Sequence, residues 1–280
     1  MSEIVKTKTT PLLFENLIKL MSPRKEFSHK GDFGHTLMVG GDAGFSGAIR
    51  LASEAALRVG SGLVSVATRG EYAATITMSR PELMCHGVSE QKSLRKIAKK
   101  SDVIGLGPGL GQTTWSNRLY ESALDTGLPT VVDADALNLL SKAPQKNDRW
   151  VLTPHVGEAA RLLNCSVADI QQDRTAAVKK LQNEYGGVII LKGSGSLIFD
   201  GVGDVYICNA GNPGMASGGM GDVLTGVVSG LIAQGLGCLD AAKLGVVIHA
   251  MAGDRAAQGG ERGLLASDLM QPIRELVNDH

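Results

Sequence analysis

Asp222 stands where the chemistry of this chain concentrates. It follows the loop Asn209-Ala210-Gly211-Asn212-Pro213-Gly214-Met215-Ala216-Ser217-Gly218-Gly219-Met220-Gly221. After it, Val223, Leu224, Val227, Val228, Leu231 and Ile232 have the spacing of a buried helix face. A loop that turns into a helix offers unpaired N–H groups and the positive end of the helix dipole, and both favour anions. Gly219 and Gly221, lacking a Cβ, let a phosphate reach the backbone. A carboxylate at this junction has two readings, a helix cap or an acid/base beside a phosphate. A plain cap needs no loop this thin, so the glycines favour the second.

Three other stretches carry candidate chemistry. Thr153-Pro154-His155-Val156-Gly157-Glu158 sets a His and a Glu three apart, placed to share a Mg²⁺–water–phosphate network. Mg²⁺ takes oxygen ligands, so Glu158 is the metal candidate and His155 the substrate contact; the competing reading is a capping Glu and a surface His. Lys192-Gly193-Ser194-Gly195-Ser196 reads equally as a hairpin turn and as a cationic cradle for a nucleotide phosphate. In Asp133-Ala134-Asp135-Ala136-Leu137-Asn138 the two acids either cap a helix or touch substrate hydroxyls. Gly105-Leu106-Gly107-Pro108-Gly109-Leu110-Gly111 does not fit the dinucleotide fingerprint G-x-G-x-x-G, and no P-loop sequence is present, so hydride transfer and Walker-type binding are both disfavoured.

The elements that must position these residues alternate. Thr36–Gly40, a glycine loop, Ala48–Val59 and Leu63–Ala67 read as strand, loop, helix and strand, a parallel βαβ unit. The rhythm continues through strands at Val103–Leu106, Thr130–Asp133, Trp150–Leu152 and Val188–Lys192, the last apolar enough to be buried on both faces. Helices are expected over Lys92–Lys100, Trp115–Leu124, from Leu137, over Gly157–Leu163 and, opened by a capping box at Ser166, as one helix to Tyr185. Ser196–Phe199 and Asp204–Cys208 read as a hairpin near a sheet edge. Two helices close the chain, from about Asp240 to Ala257 and from a cap at Ser267, with Pro272 near the start of the second.

Residues 1–10 look frayed, and Phe14, Leu17, Ile18 and Met21 have helical spacing up to Pro23. Residues 1–24 are therefore an N-terminal extension with a helix, and 25–280 a single α/β domain. Its architecture is a three-layer αβα sandwich around a mostly parallel sheet. Ligands of such sheets bind at the carboxyl ends of the strands, where every glycine loop falls. Gly226 and Gly230, one turn apart, call for a closely packed helix from this chain or from another.

Composition narrows the function classes. Lys plus Arg and Asp plus Glu are both 28, so nothing points to nucleic acid or a polybasic membrane surface. Glycine is the excess, 36 of 280 residues against a usual share of about 7%. Cys85, Cys165, Cys208 and Cys238 form no C-x-x-C pair and read as buried thiols in a reducing compartment. There is no signal-peptide pattern at the N-terminus and no apolar run of the ~18 residues a membrane span needs. The expected location is cytoplasmic.

Taken in order, Ser28-His29-Lys30-Gly31-Asp32, Gly105–Gly111, Asp133–Asn138, Thr153-Pro154-His155, Lys192-Gly193 and Ser217–Asp222 closely resemble the bacterial ADP-dependent NAD(P)H-hydrate dehydratase family, of ribokinase-like fold, over residues 25–278. Many members carry a fused N-terminal epimerase domain, so this chain looks like the stand-alone form. The resemblance implies dehydration of hydrated NADH or NADPH (the S epimer) to the normal cofactor, with ADP as phosphoryl donor, Mg²⁺ as cofactor, AMP and phosphate as products, and a homo-tetramer. It implies that Gly219, Gly221 and Asp222 are anion hole and catalytic base. Ala48, Gly107, His155 and Asp222 line the hydrated dinucleotide, Lys192, Gly193, Ser194, Gly195, Ser196 and Gly221 meet the adenine nucleotide, and Glu158 belongs to the magnesium motif. Ser194 and Ser196 stand where relatives often carry Ala and Thr. The alternative is a ribokinase-like kinase that phosphorylates a small alcohol.

Overall fold

The computed structural model describes residues 9–279. The first half begins with β1 (Thr9–Pro11) and the single turn α1 (Phe14–Leu17), then runs β2 (His35–Val39), α2 (Ser46–Arg58), β3 (Leu63–Thr68), α3 (Gly70–Ser79), β4 (Met84–Gly87), α4 (Gln91–Ala98), β5 (Val103–Leu106) and α5 (Thr114–Leu124). It continues through β6 (Thr130–Val132), α6 (Ala134–Lys142), β7 (Trp150–Leu152), α7 (Val156–Leu162), α8 (Val167–Gln172), α9 (Arg174–Tyr185) and β8 (Val188–Leu191). The hairpin β9 (Ser196–Phe199) and β10 (Val205–Cys208) and the helices α10 (Met220–Ala233), α11 (Cys238–Ala256) and α12 (Met270–Leu276) complete it.

The strands form one sheet in the order β1-β10-β9-β8-β7-β6-β5-β2-β3-β4. All neighbours are parallel except β9, which is antiparallel to both β8 and β10. Alternation along each strand divides the core. In β5, Ile104 and Leu106 join the cluster containing Leu119, Leu137 and Trp150, while Val103 faces Val227 and Leu231 of α10. Both faces are covered, as the continuous apolar strands require, and the three-layer ribokinase-like expectation holds.

The glycine pair of α10 finds its partner within the chain. A Cβ on Gly226 would lie 1.9 Å from the Ala52 carbonyl of α2, and one on Gly230 would lie 2.4 Å from Val59. These helices pack backbone to backbone, fixing the α10 N-terminus against the N-terminal end of α2.

Several local expectations are corrected. Residues 1–8 of the expected frayed end lie outside the described residues, but Thr9 and Thr10 already pair with Val205 and Tyr206 in a parallel ladder. Thr10 Oγ1 also donates to Asp204. The first helix is one α turn followed by a 3₁₀ turn over Ile18–Leu20. The single helix expected from Ser166 to Tyr185 breaks at Asp173 (φ −146°, ψ 85°), whose carboxylate accepts the Ala176 N–H at 2.8 Å and restarts the chain as α9. A side chain that competes for backbone donors interrupts a helix in this way. Helix α3 and strand β4 have no counterpart in the sequence reading, because Thr75, Ile76 and Thr77 carry β-branched side chains inside the helix. Near the C-terminus the expected Ser267 cap is not made: α12 starts without a side-chain cap, and Asp268 instead accepts the Leu265 N–H at 2.9 Å in the 3₁₀ turn Ala266–Leu269 before it. Pro272 falls in the first turn of α12, where a missing N–H costs little.

Candidate active site

Strands β6, β7 and β8 are parallel neighbours, so the residues just past their ends meet. Asp133 follows β6, Thr153 and Glu158 follow β7, and Lys192 follows β8. Asp133 is 1% exposed and both its oxygens are engaged. Oδ1 accepts from Lys192 Nζ at 2.7 Å and from Thr153 Oγ1 at 2.7 Å, and Oδ2 accepts from Thr225 Oγ1 of α10 at 2.8 Å. Lys192 Nζ is also 3.8 Å from Glu158 Oε2. Next to Asp133, Ala134 holds φ 48°, a left-handed conformation that non-glycine residues adopt at some cost and that clusters at functional sites.

The N-terminus of α10 lies over this cluster. Gly219 caps it with φ 92°, a region open to glycine and strained for other residues. The first closing bond of the helix runs from Val223 N–H to Gly219 O at 3.0 Å. The N–H groups of Met220, Gly221 and Asp222 therefore have no intrahelical acceptor, the condition for an anion site. Two side chains of α11 steady this turn and the loop before it. His249 pairs through Nε2 with the Met220 carbonyl at 2.9 Å, and Asp254 accepts from Gly211 N–H and Asn212 Nδ2 at 2.9 Å each. Burial holds His249 neutral, its pKa down at about 4, although the Met220 carbonyl opposes the shift; neutral Nε2–H is then the donor.

The electrostatics separate the acids. Burial, followed by the nearby Asp133 charge, pushes the Asp222 carboxyl up to about 7, with Lys192 pulling the other way. Glu158 is likewise raised to about 7 by burial, against the opposing pull of Lys192. For Asp133 burial again opposes ionisation, yet the Lys192 ammonium and the hydrogen bonds from Lys192, Thr153 and Thr225 hold the carboxyl below its ordinary value. Burial opposes the charge on Lys192 too, and Asp133 and Glu158 outweigh it. Asp133 and Lys192 are an ion pair, while Asp222 titrates near neutrality. Pairs of acids pushed apart in this way mark acid/base sites.

The remaining expected residues are placed as follows. His155 caps α7, its Nδ1 accepting from Gly157 N–H at 2.9 Å and Glu158 N–H at 3.3 Å, while Glu158 Oε2 accepts the His155 N–H at 2.7 Å. The capping reading is realised, and the exposed ring still borders the acid cluster. Burial and then Lys192 lower the His155 pKa. Ala48, near the start of α2, meets the Gly107–Gly111 loop, since a Cβ on Gly109 would lie 3.2 Å from the Ala48 Cβ. Asp135 braces the same loop by accepting the Gly111 N–H at 2.8 Å. In the turn after β8, Ser196 Oγ bonds Gly193, and Arg174 of α9 donates to the Ser194 and Leu191 carbonyls at 2.6 and 3.2 Å. The hairpin reading of Lys192–Ser196 is thus correct in geometry, and the turn opens beside Lys192. Sequence reasoning missed Arg174, His249 and Asp254, and also Asp42, which accepts from Arg69 Nε at 2.7 Å while Arg69 lies 4.4 Å over Trp115. Only Asp42, inside a noted glycine loop, left a local signal.

A cavity of about 1190 Å³ opens at the opposite, N-terminal end of the sheet, lined by Arg24, Glu54, Arg58, Arg80 and Gln234 among others. It contains none of the strand-end acids. Of its arginines, Arg24 caps the Gly60 carbonyl at 2.6 Å, and Arg58 and Arg80 converge with Arg50 on the buried Glu54. The acids that titrate near neutrality and the free N–H groups meet instead at the carboxyl-end cluster.

A mostly parallel sheet covered by helices on both faces, with its glycine-capped helix start at the strand ends, places the chain in the ribokinase-like fold class, and solved structures share this fold. Residues 36–275 match the family model described as NAD(P)H-hydrate dehydratase. The chain belongs to that family. It is 36% identical over 282 residues to the ADP-dependent (S)-NAD(P)H-hydrate dehydratase of Neisseria meningitidis, covering 96% of this chain and 92% of that protein. To the bifunctional NAD(P)H-hydrate repair enzyme of Coxiella burnetii it is 50% identical over 273 residues, 97% of this chain and 56% of that protein; the chain spans about half the length of such relatives. A Bacillus subtilis ADP/ATP-dependent NAD(P)H-hydrate dehydratase, crystallised with ATP and Mg²⁺, superposes with TM-score 0.85 at 27% identity, covering 96% of this chain and 98% of that one.

Proposed function

We propose that this protein dehydrates hydrated NADH or NADPH, the S epimer, back to the intact dinucleotide, consuming ADP and releasing AMP and phosphate. The observation that carries the reading is Asp222, whose carboxyl is held near pH 7 at the mouth of three unpaired N–H groups. A carboxyl poised there is an efficient general base at neutral pH. Asp222 takes the proton from the hydroxyl on the reduced nicotinamide ring as the oxygen attacks the terminal phosphoryl group of ADP. The N–H groups of Met220, Gly221 and Asp222 receive the charge that develops on that group. The ring nitrogen's electron pair then expels phosphate, leaving an iminium ion, and loss of a proton from the adjacent ring carbon to water or to the departing phosphate restores the ring double bond.

The other residues divide into two half-sites. Ala48, Gly107 and His155 border the dinucleotide side. Lys192, Gly193, Ser194, Gly195 and Ser196, with Gly221, border the nucleotide side. Among the described residues no cluster of three His, Cys, Asp or Glu side chains is arranged to hold a metal. One buried carboxylate, Glu158, beside the phosphate site fits Mg²⁺, which commonly takes one or two carboxylates with phosphate oxygens and water. Bound there, Mg²⁺ would neutralise phosphate charge. Among the described residues no helix is long and apolar enough to cross a membrane. The four cysteines are free, which supports a reducing compartment such as the cytoplasm.

The test is direct. Purified protein is incubated with chemically hydrated NADH, Mg²⁺ and either ADP or ATP, and reduced-nicotinamide absorbance and free phosphate are followed. Stoichiometric recovery of both supports the reading, and a stable phosphorylated product without absorbance recovery refutes it.

A further inference from the structure

Asp133 has a place in the site that its sequence does not announce. Its carboxylate joins four elements, the ends of β6, β7 and β8 and the first turns of α10, through Thr153, Lys192 and Thr225. Thr225 shares its hydroxyl with the Gly221 carbonyl at 3.1 Å, so the bond from Asp133 reaches the turn that carries the free N–H groups. Two glycines are shaped around this residue. A Cβ on Gly107 would lie 1.9 Å from the Asp133 carbonyl oxygen, and a Cβ on Gly221 would lie 3.2 Å from Lys192 Nζ and 3.5 Å from Asp133 Oδ2. The backbone of Asp133 thus seats the dinucleotide-side loop, and its side chain seats the anion-hole turn. At 1% exposure, with three donors on two oxygens, it faces protein and not ligand.

We propose that Asp133 is the positioning residue that locks the two half-sites in register, and that Lys192 serves through its side chain as the counter-charge of this lock. Nucleotide contacts in the turn after β8 then come from its backbone N–H groups, with Arg174 holding the turn open. A buried acid and base that satisfy each other are costly to separate, which keeps the catalytic turn of α10 from drifting away from β6. Misplacement of a reacting group by about 1 Å is enough to lower turnover about 10²-fold. The inference rests on the dehydratase reading for its kinetic readout, and not for its structural one.

Thr225→Val and Thr225→Ser test the link to α10 with little change in volume. Hydrogen exchange of the Val223, Leu224 and Thr225 amides reads the first closed turn without any turnover. Thr225→Val is expected to speed that exchange about tenfold or more, a size typical of losing a turn-fixing bond, and Thr225→Ser to leave it within about twofold of wild type. In steady state, Thr225→Val lowers kcat while leaving KM for ADP within about threefold, and Thr225→Ser restores kcat. The paired variant Asp133→Asn/Lys192→Met removes both charges together, so it folds where either single change would strand a buried charge. Its kcat is expected to fall about 10²-fold. Unchanged exchange in Thr225→Val, or a paired variant with kcat within about twofold of wild type, overturns the proposal. Absence of dehydratase turnover in the wild type would overturn the functional reading alone, and the exchange data would still decide this one.

Discussion

Asp222→Asn separates catalysis from stability. The amide keeps the shape of the side chain and cannot ionise. In the wild type, burial raises the carboxyl from 3.8 to about 7, so the folded protein resists ionisation that the unfolded chain accepts. A group with a raised folded pKa favours the folded state fully only below its unfolded pKa, and that advantage is lost as pH climbs through the folded pKa. At about 1.36 kcal/mol per tenfold in proton affinity, the window from 3.8 to about 7 amounts to roughly 4 kcal/mol at pH 8. Partial hydration of the site mouth reduces this to about 2–4 kcal/mol. The substituted amide carries no such cost. Urea unfolding of both proteins at pH 5, 6, 7 and 8 should show the variant gaining on wild type from pH 5 to 7 and levelling off near pH 8. Its kcat should fall on the order of 10²–10⁴-fold, the usual loss of a general base. Parallel stability curves for the two proteins would refute the environment assigned to Asp222, and near-normal turnover in the variant would refute its role.

Other perturbations act on neighbouring parts. Lys192→Met leaves Asp133 buried and unpaired, and should destabilise the fold by about 3–5 kcal/mol in chemical denaturation at pH 7. Gly226→Ala drives a methyl group toward the Ala52 carbonyl, 1.9 Å from the ideal Cβ position, and should cost about 1–3 kcal/mol as α2 and α10 separate, read as a lowered Tm. Glu158→Gln should raise the Mg²⁺ concentration for half-maximal activity about tenfold or more, measured by titrating Mg²⁺ at saturating ADP; an unchanged midpoint would remove Glu158 from the metal. The acid limb of kcat/KM should lie near pH 7, where Asp222 titrates, and a limb well below that in a pH–rate profile would remove Asp222 as the base.

Much of the architecture was legible because it is local. Strand-loop-helix order follows from apolar runs broken by glycine, and α10 announces itself through Val223, Val227 and Leu231 behind a glycine cap. The failures are also physical. The β-branched Thr75, Ile76 and Thr77 hide the helical pattern, so α3 went unread. Asp173 looked like a helical residue and acts as a cap. In the site, His155 and Glu158 could be seen as a pair, but whether they cap or bind was open, and the structure shows that the cap is made.

Periodicity and backbone chemistry act over a few residues, which is why the sequence alone determined the layered α/β class and the glycine loop with Asp222 at its edge. What it could not determine depends on groups distant along the chain. Asp133 meets Lys192 and Thr225 only across separations of 59 and 92 residues, and Gly226 finds Ala52 only when two helices cross. The ordinary aspartate of the sequence becomes a carboxyl that titrates near pH 7 because folding removes water from Asp222 and sets other carboxylates around it. That depends on burial and distance in three dimensions, and tertiary structure alone decided it.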